Sequence, residues 1–395
     1  MITTPLTFSN ESFSSALPTK PQVTVNSIPL SFLIHAIILF IVSGSGVIAN
    51  SAVFTVILRS SKLRSMNTFM LFCNLAVADF LLAASASVTA IILLNRGLFF
   101  SLFMCKALSV LQTTTITVSA LTLVIISIDR SLAIAKPFFF EHWCVAKVIL
   151  AAISVIWILA FAYAAPLLYY AILTPNGNCF MLMGPHSATT YQIVGTIIQF
   201  LLPLFAGIIS YNVINRVLGK LNALPGYLQP DLNRLSKAKH RAKTAFIVII
   251  VYVITGVGFY TLSIAELGLR PYYNKDPALT AIIFNLSLAF RTIAYSSSLW
   301  NPFIYAASSK SFRQSMNFIR SPASVGTAPK SSSSVSRESQ CAFKLMRRDY
   351  LASQMLGPPN GSITTTSSDR PDEVADNNIN IFKPQDSIFT SFVRK

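Results

Sequence analysis

The sequence predicts an all-α fold, a seven-transmembrane helix bundle with a short amphipathic cytoplasmic helix, and three observations predict it. Only 11% of the 395 residues are charged, 53% are hydrophobic and the mean hydropathy is +0.59, whereas soluble domains carry about 25% charged residues. Seven apolar runs, at roughly 30–58, 66–94, 102–136, 146–171, 189–219, 237–267 and 277–307, are each long enough to cross a bilayer. The basic residues fall between these runs. A net charge of +17 therefore does not mark a nucleic-acid surface, which needs a dense basic face on a soluble fold, and no nucleic-acid partner is expected.

Lys and Arg orient the bundle. Arg59, Lys62, Arg64, Lys136, Lys147, Arg216, Lys220, Arg234, Lys237, Lys239, Arg241 and Lys243 lie on one side; Lys20, Arg96, Lys106, Arg270 and Lys275 lie on the other. The positive-inside rule puts the larger set in the cytoplasm and the amino terminus outside. Four parts follow: an extracellular segment, 1–29; the bundle, 30–307; a membrane-surface helix, 308–320; and a cytoplasmic tail, 321–395. The first segment lacks a basic stretch followed by a separate apolar one, so the first span is expected to act as the insertion signal. Asn10-Glu11-Ser12 then lies outside and is a glycosylation acceptor, while the sequons at Asn285 and Asn360 fall inside the seventh span and the inner tail.

The first span carries Asn50, and the second carries the string Asn74-Leu75-Ala76-Val77-Ala78-Asp79. Asp79 is 15 residues from Arg64 and 17 from Arg96, near mid-depth. A carboxylate there costs about 2.5–3.5 kcal/mol on insertion scales, so it must face polar or ionic partners inside the bundle. It is either a structural hydrogen-bond node or an ion site; Asp79, Ser119, Ser298 and Asn301 form an all-oxygen set suited to a hard cation. The third span has no charge, Pro or Gly between Lys106 and Asp129. The 25 steps from Cys105 to Arg130 cover roughly 38 Å at ~1.5 Å each, which sets a cysteine at one membrane face and an Asp-Arg pair at the other.

Of Cys73, Cys105, Cys144, Cys179 and Cys341, only Cys105 and Cys179 face the oxidising side. Pairing them would tie the top of the third span to the loop between the fourth and fifth; the alternative is two free thiols. Later spans carry Trp157 and Pro166, then Pro203 and Tyr211, then Asn301-Pro302-Phe303-Ile304-Tyr305. Prolines here bend helices and release carbonyls that neighbours must satisfy. Beyond them Phe312, Met316 and Ile319 recur at helical spacing, as in an amphipathic helix on the inner leaflet. From Ser321 the composition turns to Ser, Thr, Pro, Asn and Gly, that of a disordered tail, with Ser331–Ser334 and Thr364–Ser368 as phosphorylation clusters.

In this order, one set per helix, these residues resemble a rhodopsin-like (class A) G-protein-coupled receptor over roughly residues 30–320. The resemblance implies a plasma-membrane receptor that turns extracellular ligand binding into activation of a heterotrimeric G protein. It implies that Asp129 and Arg130 face that G protein, and that Tyr211 and Tyr305 meet Arg130 in the active state, with Asn301 and Pro302 in the same activation set. Asp79, Ser119, Ser298 and Asn301 would hold an allosteric sodium ion in the inactive state. A kinase and an arrestin are the partners implied for the Ser/Thr tail.

Five positions depart from the family pattern. Ser131 replaces an aromatic after Asp-Arg, Ala238 replaces an acid that in some members locks Arg130, and Ser297 replaces an Asn beside the sodium set. In the sixth span Gly256 and Gly258 replace a tryptophan and a proline, leaving two glycines as a soft point. For the ligand, Gln112, Thr115 and Ile116 of the third span, Phe259, Tyr260, Ser263 and Glu266 of the sixth, and Arg291 and Tyr295 of the seventh are the candidates. Gln112 in place of an Asp disfavours an amine, and Tyr295 in place of a Lys disfavours retinal. The third span, from Cys105-Lys106 through Leu111-Gln112-Thr113 to Leu123, resembles that of neuropeptide receptors, so a peptide is expected. Glu266 and Arg291 would meet charged groups of that peptide or pair with each other. A receptor for a lipid or small molecule, or one active without ligand, is the alternative within this fold. A secondary transporter is more remote, because no internal repeat is visible. His-Glu-x-x-His, Gly-x-Ser-x-Gly and paired catalytic carboxylates are missing from the sequence, so no enzyme is expected.

Overall fold

The computed structural model describes residues 30–60, 67–95, 101–136, 146–174, 179–222, 232–273, 276–308 and 312–316. Among the described residues, seven helices are long and apolar enough to cross a membrane. They are α1 (Leu30–Arg59), α2 (Phe69–Leu94), α3 (Leu102–Ala135), α4 (Ala146–Tyr170), α5 (Pro185–Leu221), α6 (Ala242–Leu269) and α7 (Pro277–Ser308). Each expected span is thus met by one helix. Two run past their expected ends. α5 begins at Pro185 rather than 189, because a proline is already set for the first helical position and loses no bond there. The helix containing α6 continues from Leu232 to Tyr273, through polar residues that favour helix although they are not apolar enough to read as membrane.

Burial is inverted relative to a soluble domain. Phe103, Ile48, Ile158 and Ile254 are 66–81% exposed, whereas Asn50, Asp79, Thr122 and Ser127 are at most 2% exposed. Lipid as the outer solvent demands this arrangement, with apolar side chains outward and polar ones paired inside. Small residues let the helices close up. A Cβ on Gly46 would lie 3.1 Å from that of Ala83, one on Gly207 would lie 2.7 Å from Ile249, and one on Gly258 would lie 2.4 Å from the Phe290 ring. Gly258 is therefore a packing residue in a continuous helix, where Phe290 of α7 rests on its backbone, in addition to any softness it confers.

Prolines explain two buried polar contacts. Pro302 has no N–H, so the carbonyl of Ser298 one turn earlier loses its helical donor. Asn50 Nδ2 supplies a replacement at 2.9 Å and also donates to Gly46 O at 2.9 Å, joining α1 to α7. Pro203 does the same to the Gln199 carbonyl of α5, inside a π-helical turn at Ile197–Leu201. Here the replacement donor is the Tyr252 hydroxyl of α6, at 2.6 Å.

At one end of the bundle, Val53, Leu71, Leu75, Leu123, Ile126 and Val248 build a core shared by α1, α2, α3 and α6. Phe312 is buried in that core and Met316 packs against it, on a helical stretch over 312–316; Ile319 lies outside the described residues. Arg313 Nη1 donates to the carbonyl of Ala306 at 3.1 Å, near the end of α7. At the other end, a hairpin that the hydrophobic pattern does not announce links α4 to α5. Its strands β1 (Ala171–Leu173) and β2 (Cys179–Met181) pair antiparallel, with Ile172 opposite Phe180. A disulfide joins Cys105 to Cys179 with Cα atoms 5.7 Å apart, so β2 is fixed to the first turns of α3. Asn10, Cys144, Cys341 and the tail clusters lie outside the described residues.

Candidate functional site

Three layers of polar residues run through the bundle along α3. At the end opposite the disulfide, Arg130 is 7% exposed and its Nη2 lies 2.5 Å from Asp129 Oδ2. Tyr305 is buried against the Phe72 ring, centroids 4.8 Å apart, and its hydroxyl has no hydrogen bond among the described residues. Tyr211 is 45% exposed and stacks on Phe246 of α6 at 4.3 Å. Neither tyrosine is bonded to Arg130 in this conformation. Ser131 has a defined use: its hydroxyl and that of Ser210 each lie 2.9 Å from the Ser127 carbonyl and 2.8 Å from one another, tying α3 to α5 beside Arg130. Where Ala238 offers α6 no acid, His240 Nε2 hydrogen-bonds the Ser308 carbonyl at the end of α7, at 2.6 Å.

At mid-depth Asp79 accepts from Ser119 at 2.9 Å and from Asn301 at 2.7 Å, so one carboxylate joins α2, α3 and α7. Ser298 is buried nearby, but its hydroxyl donates to the Tyr295 carbonyl at 2.8 Å. Asn74 accepts from Trp157 at 2.9 Å and donates to Thr122 at 2.8 Å, adding α4 to the same layer.

A cavity of about 30 Å³ rises from Asp79, Ser119, Ser297 and Asn301, past Tyr252 and Gly256, to Ile116, Phe259, Tyr260, Arg291 and Tyr295. That is room for about two waters. Five of the expected ligand residues, Ile116, Phe259, Tyr260, Arg291 and Tyr295, therefore meet around one space. Arg291 sits over the Phe259 ring, 5.6 Å from its centroid, a cation–π contact between α7 and α6. Gln112 stands behind this wall: Tyr295 donates to its Oε1 at 3.0 Å and its Nε2 donates to Thr89 at 2.8 Å. Thr115 does not reach the cavity. It is fully buried, with its hydroxyl bonded to the Leu111 and Gln112 carbonyls of its own helix. Ser263 is half-buried and away from the cavity wall, and Glu266, also half-buried, accepts from Ser287 of α7.

Sequence reasoning missed a residue that bonds two other helices. Gln199 donates to Thr117 of α3 at 2.9 Å, accepts from Tyr260 at 3.2 Å and, through its carbonyl, accepts from Tyr252. Its signal was present, as an amide four residues before Pro203 in an otherwise apolar run. The hairpin also had one, Asn176-Gly177 between two short apolar stretches.

Comparison with known proteins agrees with this geometry. A family model described as "7 transmembrane receptor (rhodopsin family)" matches residues 49–305, more than half of the chain. Galanin receptor type 1 of Rattus norvegicus is 28% identical over 312 residues, covering 75% of this chain and 84% of that one. The tachykinin-like peptides receptor 86C of Drosophila melanogaster is 26% identical over 296 residues, covering 71% and 57%. Leukotriene B4 receptor 1 of Homo sapiens is 27% identical over 301 residues, covering 74% and 80%.

Proposed function

We propose that this chain, which belongs to the rhodopsin family of seven-transmembrane receptors, binds an extracellular peptide at the Cys105 end of its bundle and activates a cytoplasmic G protein at the Arg130 end. The peptide reading is carried by the similarity to receptors named for galanin and for tachykinin-like peptides. Two charges at that end suit it: Glu266 on α6 for a basic group and Arg291 on α7 for a carboxylate or an amide oxygen. The cavity has room for about two waters, and Phe259 and Tyr260 are among the side chains that a larger ligand group would have to displace. Such a ligand stabilises a minor state in which α6 swings away from Arg130. Asn301 and Pro302, between Asp79 and Tyr305, pass that change along α7.

In the same reading the amino terminus is extracellular, Asn10 carries a glycan and the chain resides in the plasma membrane. Arg216, Lys220, Lys239, Arg241 and Lys243, at the inner ends of α5 and α6, offer charge complementarity to the G protein. Phosphates added by a kinase at Ser331–Ser334 or Thr364–Ser368 supply the anionic groups that recruit arrestin.

A peptide library applied to cells expressing the chain, read by second messengers, tests the ligand class. Peptide agonists are expected, with potency lowered about tenfold or more by Arg291→Ala or Glu266→Ala, as for loss of a charge-assisted hydrogen bond. Activation by leukotriene-type molecules and by no peptide would favour a small-molecule ligand, the second reading, for which the similarity to leukotriene B4 receptor 1 speaks.

The oxygen set around Asp79 fits a sodium ion. A fully buried carboxylate beside the Ser119 hydroxyl and the Asn301 amide, opening onto the cavity, is a hard-donor site with one negative charge to balance. Ser298 would complete it only by turning its hydroxyl from Tyr295. Bound sodium would supply that counter-charge and hold α2, α3 and α7 together. The expected result is a melting temperature several degrees higher in sodium chloride than in choline chloride of equal strength, a difference lost in Asp79→Asn. Superimposable melting curves in the two salts would remove the ion from this account.

A further inference from the structure

We propose that Gln199 is the positioning residue of α6, holding it against α3 and α5 until a ligand displaces Tyr260. The inference rests on the receptor reading above and extends it to the trigger of α6, where Gly256 supplies no side chain.

The observations converge on one residue. Pro203 strips the Gln199 carbonyl of its helical donor, and the π-helical turn at Ile197–Leu201 presents that carbonyl to α6. The Tyr252 hydroxyl takes the vacated place at 2.6 Å. From the same residue the side-chain amide reaches Thr117 on one side and the Tyr260 hydroxyl on the other. Thr117, Gln199 and Tyr260 are 1%, 8% and 5% exposed, so these bonds are shielded from outside solvent while α6 stays in place. The neighbouring Phe200 ring stacks on Tyr260 at 5.0 Å, and both rings lie against Gly256, where a Cβ would sit 3.4 Å from Tyr260 and 3.6 Å from Phe200. A large side chain at that position would occupy the rings' place. The glycine thus leaves the two rings the space beside α6 that they fill.

The clasp is connected to the ligand end. Arg291 lies over Phe259, and Phe259 meets Tyr260 edge-on with centroids 5.2 Å apart. A ligand group that draws Arg291 or wedges between these rings moves Tyr260 off Gln199. Further in, Tyr252 borders the same cavity as Asp79 and Asn301, so its release is felt at mid-depth. Two discrete arrangements follow, with the clasp closed or open, and a ligand that favours the open one shifts the population.

The test needs no agonist. Gln199→Leu keeps the volume and loses the amide, Tyr260→Phe keeps the stack and loses one bond, and Tyr252→Phe frees the carbonyl. Two readouts apply: unliganded nucleotide exchange on a panel of purified G proteins at matched receptor density, and the distance between nitroxides at Lys147 and Lys243, changed to cysteine in a background with Cys73, Cys144 and Cys341 replaced. Both sites are exposed, on α4 and α6. Each single variant is expected to raise unliganded exchange about tenfold, the factor for one lost buried hydrogen bond, and to populate a longer distance. Gln199→Leu with Tyr260→Phe should add nothing to Gln199→Leu alone, because one bond is shared. A merely structural residue would lower the melting temperature with the distance unmoved, and an unmoved distance in Tyr260→Phe and Tyr252→Phe, the mildest changes, overturns the clasp. A longer distance without exchange supports the clasp and counts against the coupling reading instead.

Discussion

Asp129→Asn is expected to raise unliganded nucleotide exchange several-fold, and Arg130→Ala to bring exchange down to the background of G protein alone, in the single variant and in combination with Asp129→Asn. The two residues are neighbours on α3 and form a pair 2.5 Å apart, with side chains 5% and 9% exposed. Breaking a buried pair on one side costs about 3–5 kcal/mol, much of it from the charge left behind. Neutralising Asp129 therefore weakens the hold on Arg130, which in the proposed function is then freer to turn toward the G protein. Removing Arg130 instead leaves nothing to reach that partner. The opposite signs are the point of the pair, since loss of fold would lower exchange in both. Binding of a non-hydrolysable GTP analogue at equal surface density is the measurement, and exchange above background in the double variant would show that Arg130 does not carry the coupling.

The second large effect is expected on stability. Cys105→Ser and Cys179→Ser should each lower it by about 4 kcal/mol, the chain-entropy value for closing a loop of this size, and the double variant should be no worse than either, because one bond is shared. The bond closes 74 residues and anchors β2 to α3, so its loss frees the hairpin as well. Thermal melting in detergent and surface expression read the first consequence. Agonist affinity, once a ligand is in hand, reads the second. Additive losses in the double variant would mean that each thiol acts separately.

The architecture was legible because membrane burial writes itself into composition. Seven apolar runs have no other way to satisfy their backbones, and the disulfide joins the two cysteines that the spacing of the spans placed on one side of the bundle. Asp79 was found as the one acid in mid-span; of the three residues named with it, Ser119 and Asn301 bond its carboxylate, while Ser298 bonds the Tyr295 carbonyl. Arg130, Tyr211 and Tyr305 were legible as residues but not as a conformation: here Arg130 is held by Asp129 while the two tyrosines pack on Phe246 and Phe72.

What the one-dimensional pattern determined, then, is which residues lie in the membrane, which are polar there and where prolines orphan a carbonyl. Each of these is a local property of chemistry and spacing. Only the tertiary structure decided who answers each orphan, that Asn50 serves Ser298 and Tyr252 serves Gln199, and which side chains share the cavity with Gly256. It also turned Thr115 back to its own helix and gave Gly258 to the Phe290 ring. Such pairings depend on helix rotation and close approach between segments up to 248 residues apart. Period and composition carry no information on those rotations, because a greasy face looks the same to lipid and to a neighbouring helix.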